Sequence, residues 1–428
     1  MNGPGAPSVA SGPGRASEGR HRVVVTGMGY VSGLGFGPED HEPALREGRS
    51  AAAPVTRFDT TGFRSTQGAQ CDEARLGSLL RRRWSAQQLR GIDVDTRMIL
   101  WATATALEEA GVSPSSLRAP LPAVVGTTLE GFWQAEQWYA EYLKRSAAHA
   151  RPRRLRHCMG GGQLGQIADL LGARMEPMVV SNACATGVSA IGRLFRRIRS
   201  GASEIGIAGG YDTLTRFIQL GFDSLGALTT KSCTPFDRDR SGFFIGDAAA
   251  VLVLESLESA RRRKAAIHGE LLGYGESLDA HHPTHPDPEG RGIARAIRQA
   301  LEMGSTGPEA VNYVNAHGTG TTANDAAEAK GILLALGDDP GRRVAVSSTK
   351  AQVGHTLGAA GALEQCFCFL ALERGFLPVQ AGLGTPDPAC PLNLVRSPEG
   401  RPRVALNNSL GFGGANGVLL SSRWEEPA

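Results

Sequence analysis

The run VVSNACATGVSAIGRLFRRIRSG, residues 179–201, decides how the chain folds. Its apolar start, taken with Met178, reads as a strand, Met178–Ser181, that ends at the small residues of NACATG (182–187). Beyond the break, Val188, Ile191, Phe195 and Ile198 recur at i, i+3, i+7 and i+10, which is one face of a helix. Arginines 193, 196, 197 and 199 load its last turns, and Gly201 suits the position just past its end. The unit is strand, sharp turn, helix, with Cys184 at the corner. Free N–H groups and the helix dipole at that corner favour a thiolate over an ordinary thiol of pKa about 8.5. Two readings of Cys184 are open: a small residue packed at a turn, or a nucleophile with substrate room left by Ala183, Ala185 and Gly187.

The same grammar recurs on either side. HRVVVTGMG from His21, LPAVVG (Leu121–Gly126), EIGIAGG (Glu204–Gly210) and AAVLVLE (Ala249–Glu255) read as strands, and Met98–Ala110 as a helix. The pattern then restarts. GELLGYGES (269–277), VNYVNAHGTG (311–320), VAVSSTK (344–350) and RVALNNSLGFGG (403–414) are strands breaking at glycine-rich turns. Helices Gly292–Met303, Asp325–Leu336 and Ala359–Arg374 separate them. Such alternation predicts an α/β architecture with largely parallel sheets. Two halves of similar grammar, 21–265 and 266–428, meet just after RRRK (261–264) and suggest an internal duplication. Residues 1–20, rich in Gly, Pro, Ser and Ala and without an apolar core, read as a disordered tail rather than a signal peptide.

Composition narrows the function. A chain of 428 residues buries enough surface to fold without disulfides or metal. No apolar run reaches the ~18 residues of a membrane span, and a net charge of +3 does not argue for nucleic acid. The seven cysteines are scattered, with no CxxC pair, so neither a zinc ribbon nor a dithiol redox centre is indicated, and a reducing cytoplasm is expected. Only five of the 45 basic residues are lysines. In such an arginine-biased chain Lys350 stands out as a position where a compact ammonium is needed.

A nucleophile needs partners, and three further strand-end turns offer them. AHGTGT places His317 after VNYVN; STKAQVGH places Lys350 and His355 five apart; NNSLGFGGANG (407–417) sets Phe412 among glycines. Each histidine alone fits a structural role, and the Phe412 turn fits an ordinary hairpin. Together they match the way open α/β sheets gather catalytic groups at the carboxyl ends of strands. The histidines of HHPTHP (281–286) are interrupted by prolines and have no acidic or Cys companion, so they read as a loop rather than a metal site.

VVVTGMG, NACATGVSAIG, PFDRDRSGF (235–243), NAHGTGTTANDAAE (315–328), SSTKAQVGHTLGAAGALE (347–364) and NSLGFGGANG (408–417), in this order and spacing, resemble an elongating β-ketoacyl-acyl-carrier-protein synthase of the thiolase superfamily. The resemblance spans 22–424 and implies a thiolase-like fold: duplicated αβαβα halves forming a five-layered core. It implies that Cys184 takes an acyl group from a carrier protein's phosphopantetheine arm, with the N–H groups of Cys184 and Phe412 as oxyanion hole. His317 and His355 would stabilise the enolate formed as malonyl-carrier protein loses carbon dioxide. Lys350, paired with Glu364, would organise the site; Asp325 and Glu328 would support the lysine's surroundings. Thr319 and Thr321 would hydrogen-bond the pantetheine arm, and Phe412 would gate the acyl pocket. No metal and no dissociable cofactor are implied.

The His317/His355 pair separates the chain from initiating synthases and plant-type polyketide synthases, which carry Asn at the second position. Phe412 and its neighbours stand where thiolases keep a second reactive Cys. Cys184 argues against a catalytically dead chain-length partner. The remaining alternatives are an acyl-Cys transferase that never elongates and a non-catalytic subunit of a ketosynthase heterodimer. The sequence departs from the family pattern at Ala248 and Ala250, where glycines are usual, at Leu410 for Phe and at Ala415 for Thr. Residues 128–177 match poorly. That divergence fits a specialised type II polyketide or polyene system as well as fatty-acid synthesis. Expected partners are an acidic acyl carrier protein, docking on Arg81, Arg82 and Arg83 or on Arg153 and Arg154, and a second subunit: a copy of the chain or a chain-length-factor-like homologue.

Overall fold

The computed structural model of the chain describes residues 21–117, 119–145, 155 and 161–426. The first half contributes β1 (Val23–Ser32), β2 (Leu121–Gly126), β3 (Met175–Val180), β4 (Ile205–Asp212) and β5 (Ala248–Ser256). The second contributes β6 (Gly269–Leu278), β7 (Tyr313–Asn315), β8 (Ala345–Ser347), the short β9 (Asn393–Leu394), β10 (Val404–Gly411) and β11 (Ala415–Arg423). Their order in one continuous sheet is β9-β8-β7-β10-β11-β6-β1-β5-β4-β2-β3. From edge to centre each half runs third, second, fourth, fifth, first strand, once β9 is set aside. The halves join where β1 pairs antiparallel with β6, Val24 opposite Glu270.

The expectation of largely parallel sheets needs correction. Only the wings, β3-β2-β4 and β9-β8-β7-β10, are parallel. Every pair through the middle is antiparallel. Alternating helices announced the parallel wings, but β10 and β11 are joined by a tight turn and can only pair antiparallel. β11 itself went unread, because the sequence reading stopped at the glycine turn before it.

Helices α1 (Val94–Glu109), α2 (Phe132–Arg145), α3 (Thr186–Arg199), α4 (Arg216–Ser224), α5 (Arg291–Met303), α6 (Thr322–Leu336) and α7 (Ala360–Arg374) complete the architecture that positions the site. α1 covers the outer face of the first half and shares a core with β2 and β5. α5 and α6 do the same for the second half. α3 and α7 fill the middle layer, packing Ile191, Phe195, Phe367 and Leu363 among residues of both halves. A layer buried on every side needs a helix apolar all round, and every residue of α7 from Ala360 to Leu372 is buried. α3 and α7 touch backbone to backbone: a Cβ on Gly187 would lie 2.6 Å from Ala362 N, and one on Gly361 2.8 Å from Val188 N. The result is a stack of helix, half-sheet, helix, half-sheet, helix, the two half-sheets being the halves of the one continuous sheet.

Candidate active site

The corner after β3 is built by local hydrogen bonds. The N–H of Asn182 donates to Thr186 Oγ1 (2.7 Å), and that hydroxyl donates to the Ala183 carbonyl (2.6 Å). They hold Ala183 at φ +45°, a left-handed conformation that costs a non-glycine residue on the order of 1 kcal/mol or more. The kink turns Cys184 into a cavity of about 320 Å3 while its side chain stays buried. Gly411 closes the other side: a Cβ there would come 3.1 Å from Cys184 N.

β7, β8 and β10 deliver the remaining groups. His355 Nε2 lies 3.1 Å from Cys184 Sγ. Its other nitrogen, Nδ1, accepts the Leu357 N–H at 3.1 Å, so the neutral ring carries its proton on Nε2, facing sulfur. The His317 and His355 rings stand 5.3 Å apart and nearly perpendicular. Glu328 holds the His317 turn, its two oxygens accepting the N–H groups of His317 and Gly318 at 2.8 Å each. That turn needs glycine at 318, where φ is +34° and a Cβ would meet Ser348 Cβ at 2.5 Å.

Electrostatics define the resting state. Burial, Lys350 and His355 push His317 well below the ordinary histidine range, and burial with Lys350 does the same to His355. Both rings are neutral hydrogen-bond donors at physiological pH. The helix N-terminus does not make Cys184 the expected thiolate: burial pushes the thiol up to about 11, outweighing Lys350 and the Phe412 N–H, which favour the anion. Cys184 Sγ and a nitrogen of each histidine lie within 4.8 Å of one another, a donor set that suits a soft metal. The Lys350 ammonium, whose charge disfavours a proton on either ring, equally disfavours a cation among them.

Lys350 is fully buried, and its Nζ donates to Glu364 Oε1 at 2.5 Å, the pair expected from the sequence. Asp325 and Glu328 do not reach that pair. Asp325 accepts from Phe236 N and Gly320 N and faces Arg240 at 3.6 Å. Both acids brace the 317–320 turn, because they lie on α6, which begins where that turn ends; Ser348 joins that turn to Lys350, its hydroxyl donating to the Gly318 carbonyl at 2.7 Å and accepting the Lys350 N–H at 3.3 Å. Thr319 and Thr321 line the cavity with their hydroxyls 2.8 Å apart. Phe412 occupies the turn between β10 and β11 and is 40% exposed at the cavity wall, its ring 5.7 Å from that of Phe222. Arg81, Arg82 and Arg83 are exposed but do not line the cavity, and Arg83 pairs with Glu108. Arg153 and Arg154 lie outside the described residues. His282 and His285 sit on an exposed loop, Nδ1 to Nδ1 3.0 Å, with His285 at the cavity mouth.

The sequence reading missed Arg240, buried and bonded to Asp387 at 2.5 Å, although it lies in the quoted PFDRDRSGF. It also missed Asp212, which gathers the loops beside His355, and the buried pair Arg57–Asp247 at 2.6 Å. Lone charged residues at strand ends have no spacing to betray them.

Residues 20–260 match the β-ketoacyl synthase N-terminal domain and residues 268–383 the β-ketoacyl synthase C-terminal domain. The chain therefore belongs to the β-ketoacyl synthase family of condensing enzymes and has its thiolase-like fold. It is 35% identical over 419 residues to 3-oxoacyl-acyl-carrier-protein synthase 2 of Synechocystis sp., covering 95% of this chain and 99% of that one. Among solved structures it resembles the ishigamide ketosynthase/chain length factor, with TM-score 0.88 and 36% identity over 95% of this chain and 100% of the other. It also resembles a type II PKS acyl-carrier protein complex with its ketosynthase bound to the hexaketide, with TM-score 0.85 and 27% identity over 95% and 100%.

Proposed function

We propose that the protein elongates acyl chains on an acyl carrier protein by decarboxylative Claisen condensation, in a specialised type II polyketide or fatty-acid system. The observation that carries this reading is the Nε2–H of His355 held on Cys184 Sγ at 3.1 Å beside the neutral His317. A ring locked as a donor cannot serve as the general base of a hydrolase, but it can stabilise a developing anion. Cys184 sulfur attacks the acyl thioester carbonyl, a sulfur–carbon bond forms, and the pantetheine thiol leaves with the proton. The Phe412 and Cys184 N–H groups hold the oxyanion. In the malonyl thioester the bond to the carboxylate then breaks, carbon dioxide leaves, and both imidazole N–H groups receive the enolate oxygen. The enolate carbon attacks the acyl-Cys184 carbonyl, forming the new carbon–carbon bond and releasing the Cys184 thiolate, which takes a proton from solvent to restore the resting thiol. Lys350 with Glu364 sets the field, Thr319 and Thr321 contact the pantetheine arm, and Phe412 gates the acyl side.

The phosphopantetheine of the carrier protein delivers both substrates, and no resident cofactor is required. Residues 21–265 and 266–428 act as the two repeats, one bearing the nucleophile and the other the histidines. A second subunit covers the β3 edge. Likeness to a ketosynthase/chain length factor favours a heterodimer with a homologue lacking the cysteine over a homodimer. Six free buried cysteines among the described residues support a cytoplasmic setting.

Intact-protein mass spectrometry tests the reading. Wild type mixed with a medium-chain acyl-carrier protein should gain the acyl mass, and Cys184→Ala should not. Malonyl-carrier protein should then discharge it as a ketoacyl product two carbons longer. Loading without elongation would favour a simple acyltransferase instead.

A further inference from the structure

Asp212 ends β4 with no cation beside it among the described residues, although it is 1% exposed. A buried carboxylate without a counter-ion persists only if hydrogen-bond donors surround it. Here they do. Oδ1 accepts the Thr127 hydroxyl at 2.7 Å and the Leu129 N–H at 3.1 Å. Oδ2 accepts the Thr128 hydroxyl at 2.6 Å and the Gly358 N–H at 2.6 Å. The Thr128 N–H is shared between them at 3.2 and 3.1 Å. One carboxylate thus ties the loop after β2 to the turn after His355.

The Gly358 contact is the one with chemical reach. The preceding residue, Leu357, sits at φ +54°, which a leucine adopts only when its surroundings compel it. The Leu357 N–H is also the donor that fixes His355 Nδ1 as an acceptor. We propose that Asp212 is a positioning residue for His355: by gripping Gly358 it holds the Leu357 turn, and so keeps the imidazole proton on Nε2, aimed at the reacting centre. The inference rests on the condensing reading above. Without the grip Leu357 relaxes to negative φ, Nδ1 loses its donor, and the ring is free to change tautomer. The residue also links the Thr127–Leu129 loop to the histidine that receives the enolate.

Two variants attack the contact from opposite sides. Asp212→Asn puts either an amide N–H2 against the Gly358 N–H or one against the Thr127 hydroxyl and Leu129 N–H. Gly358→Ala places a Cβ 2.7 Å from Asp212 Oδ2. Two half-reactions are measured on each protein. One is loading of Cys184 from the hexanoyl thioester of N-acetylcysteamine, followed by intact mass; it doubles as proof of folding. The other is carbon dioxide release from malonyl loaded on a type II polyketide acyl carrier protein. Decarboxylation should fall about 10- to 100-fold, the cost of a misplaced catalytic group, while loading stays near wild type. Spectra of 15N-histidine protein should show His355 as a single Nε2–H tautomer in wild type and as a mixture in the variants. Unchanged decarboxylation in a variant that loads, or equal loss of both half-reactions in Asp212→Asn and Gly358→Ala, overturns the proposal. A wild type that loads but releases no carbon dioxide overturns the condensing reading itself, and the inference with it.

Discussion

Cys184 is a thiol at rest, and that decides how it reacts. A group with its pKa pushed up to about 11 is a thiolate at only about one part in a thousand at pH 8, since each unit is tenfold. Alkylation by iodoacetamide should therefore be slow and climb about tenfold per pH unit toward 11, whereas a thiolate-forming cysteine would level off below 8. A plateau near neutrality in the wild type, absent from Cys184→Ala, would refute this. The sign for stability follows: the folded state keeps the proton between the ordinary thiol pKa and about 11, so stability falls as pH rises through that window. Glu328 gives a second pH signature. Burial holds its carboxyl up to about 7 despite three donors. Above that value it accepts both the His317 and Gly318 N–H groups; below it a proton occupies one oxygen and the turn loosens. Condensation should gain activity as pH rises through 7, with no acid limb from the histidines, which are neutral throughout. Glu328→Gln should slow condensation about tenfold or more and erase that limb, because an amide opposes one N–H at every pH. An unaltered pH–rate profile in Glu328→Gln would assign the limb to another group.

At the level of elements, contact between α3 and α7 ties nucleophile to scaffold. Gly187→Ala forces a methyl to within 2.6 Å of the Ala362 backbone nitrogen, and overpacking of that kind costs about 1–3 kcal/mol. Gly165→Ala, on the exposed side of the helix Gly162–Leu171 with nothing within 4 Å of its new Cβ, should instead stabilise by roughly 0.5–1 kcal/mol. Urea unfolding of both variants checks the contrast, and equal midpoints would show that the two inner helices yield at no cost. The strand-and-helix grammar that made these elements legible is local. β-Branched runs, glycine breaks and the 3.6-residue period placed β2 to the residue and brought most other predicted elements to within a few positions. They placed Cys184, His317, His355 and Phe412 at turns that the fold brings together. What stayed hidden depends on pairs far apart in sequence: the antiparallel middle of the sheet, the small sheet of Ala53–Pro54, Gln67–Ala69 and Ile245–Gly246, and the grip of Asp212 on Gly358. The thiol state of Cys184 was misread for the same reason. A helix N-terminus is visible in sequence, whereas the desolvation that opposes it comes from every element folded over the residue.

At the scale of the whole molecule, the β3 edge of the sheet is unpaired among the described residues. β3 ends the sheet, and Glu176, Pro177 and Met178 on it are exposed, which is the template for pairing with another chain. Beside the cavity, α2 exposes Tyr139 and Leu143 to 56% and 65%, and α4 exposes Phe217 and Leu220 to 54% and 50%. The Phe132 and Phe217 rings, 4.5 Å apart, join the two helices into one apolar face. Exposure of aromatics at this density signals an interface. A partner strand beside β3 would continue the sheet across a twofold and cover these rings at once. Wild-type protein should therefore migrate in light-scattering chromatography at roughly twice its 45.0 kDa, or bind a Cys-less homologue with that stoichiometry. Met178→Asp together with Leu143→Asp buries two charges in that contact and should yield monomers, with a loss of far more than the ~0.5 kcal/mol an ordinary surface change would bring. Neither position touches the catalytic trio, so any fall in condensation that accompanies dissociation measures what the second subunit contributes to the site. A wild type that stays monomeric and captures no homologue would refute the interface, and the apolar face would then need another occupant.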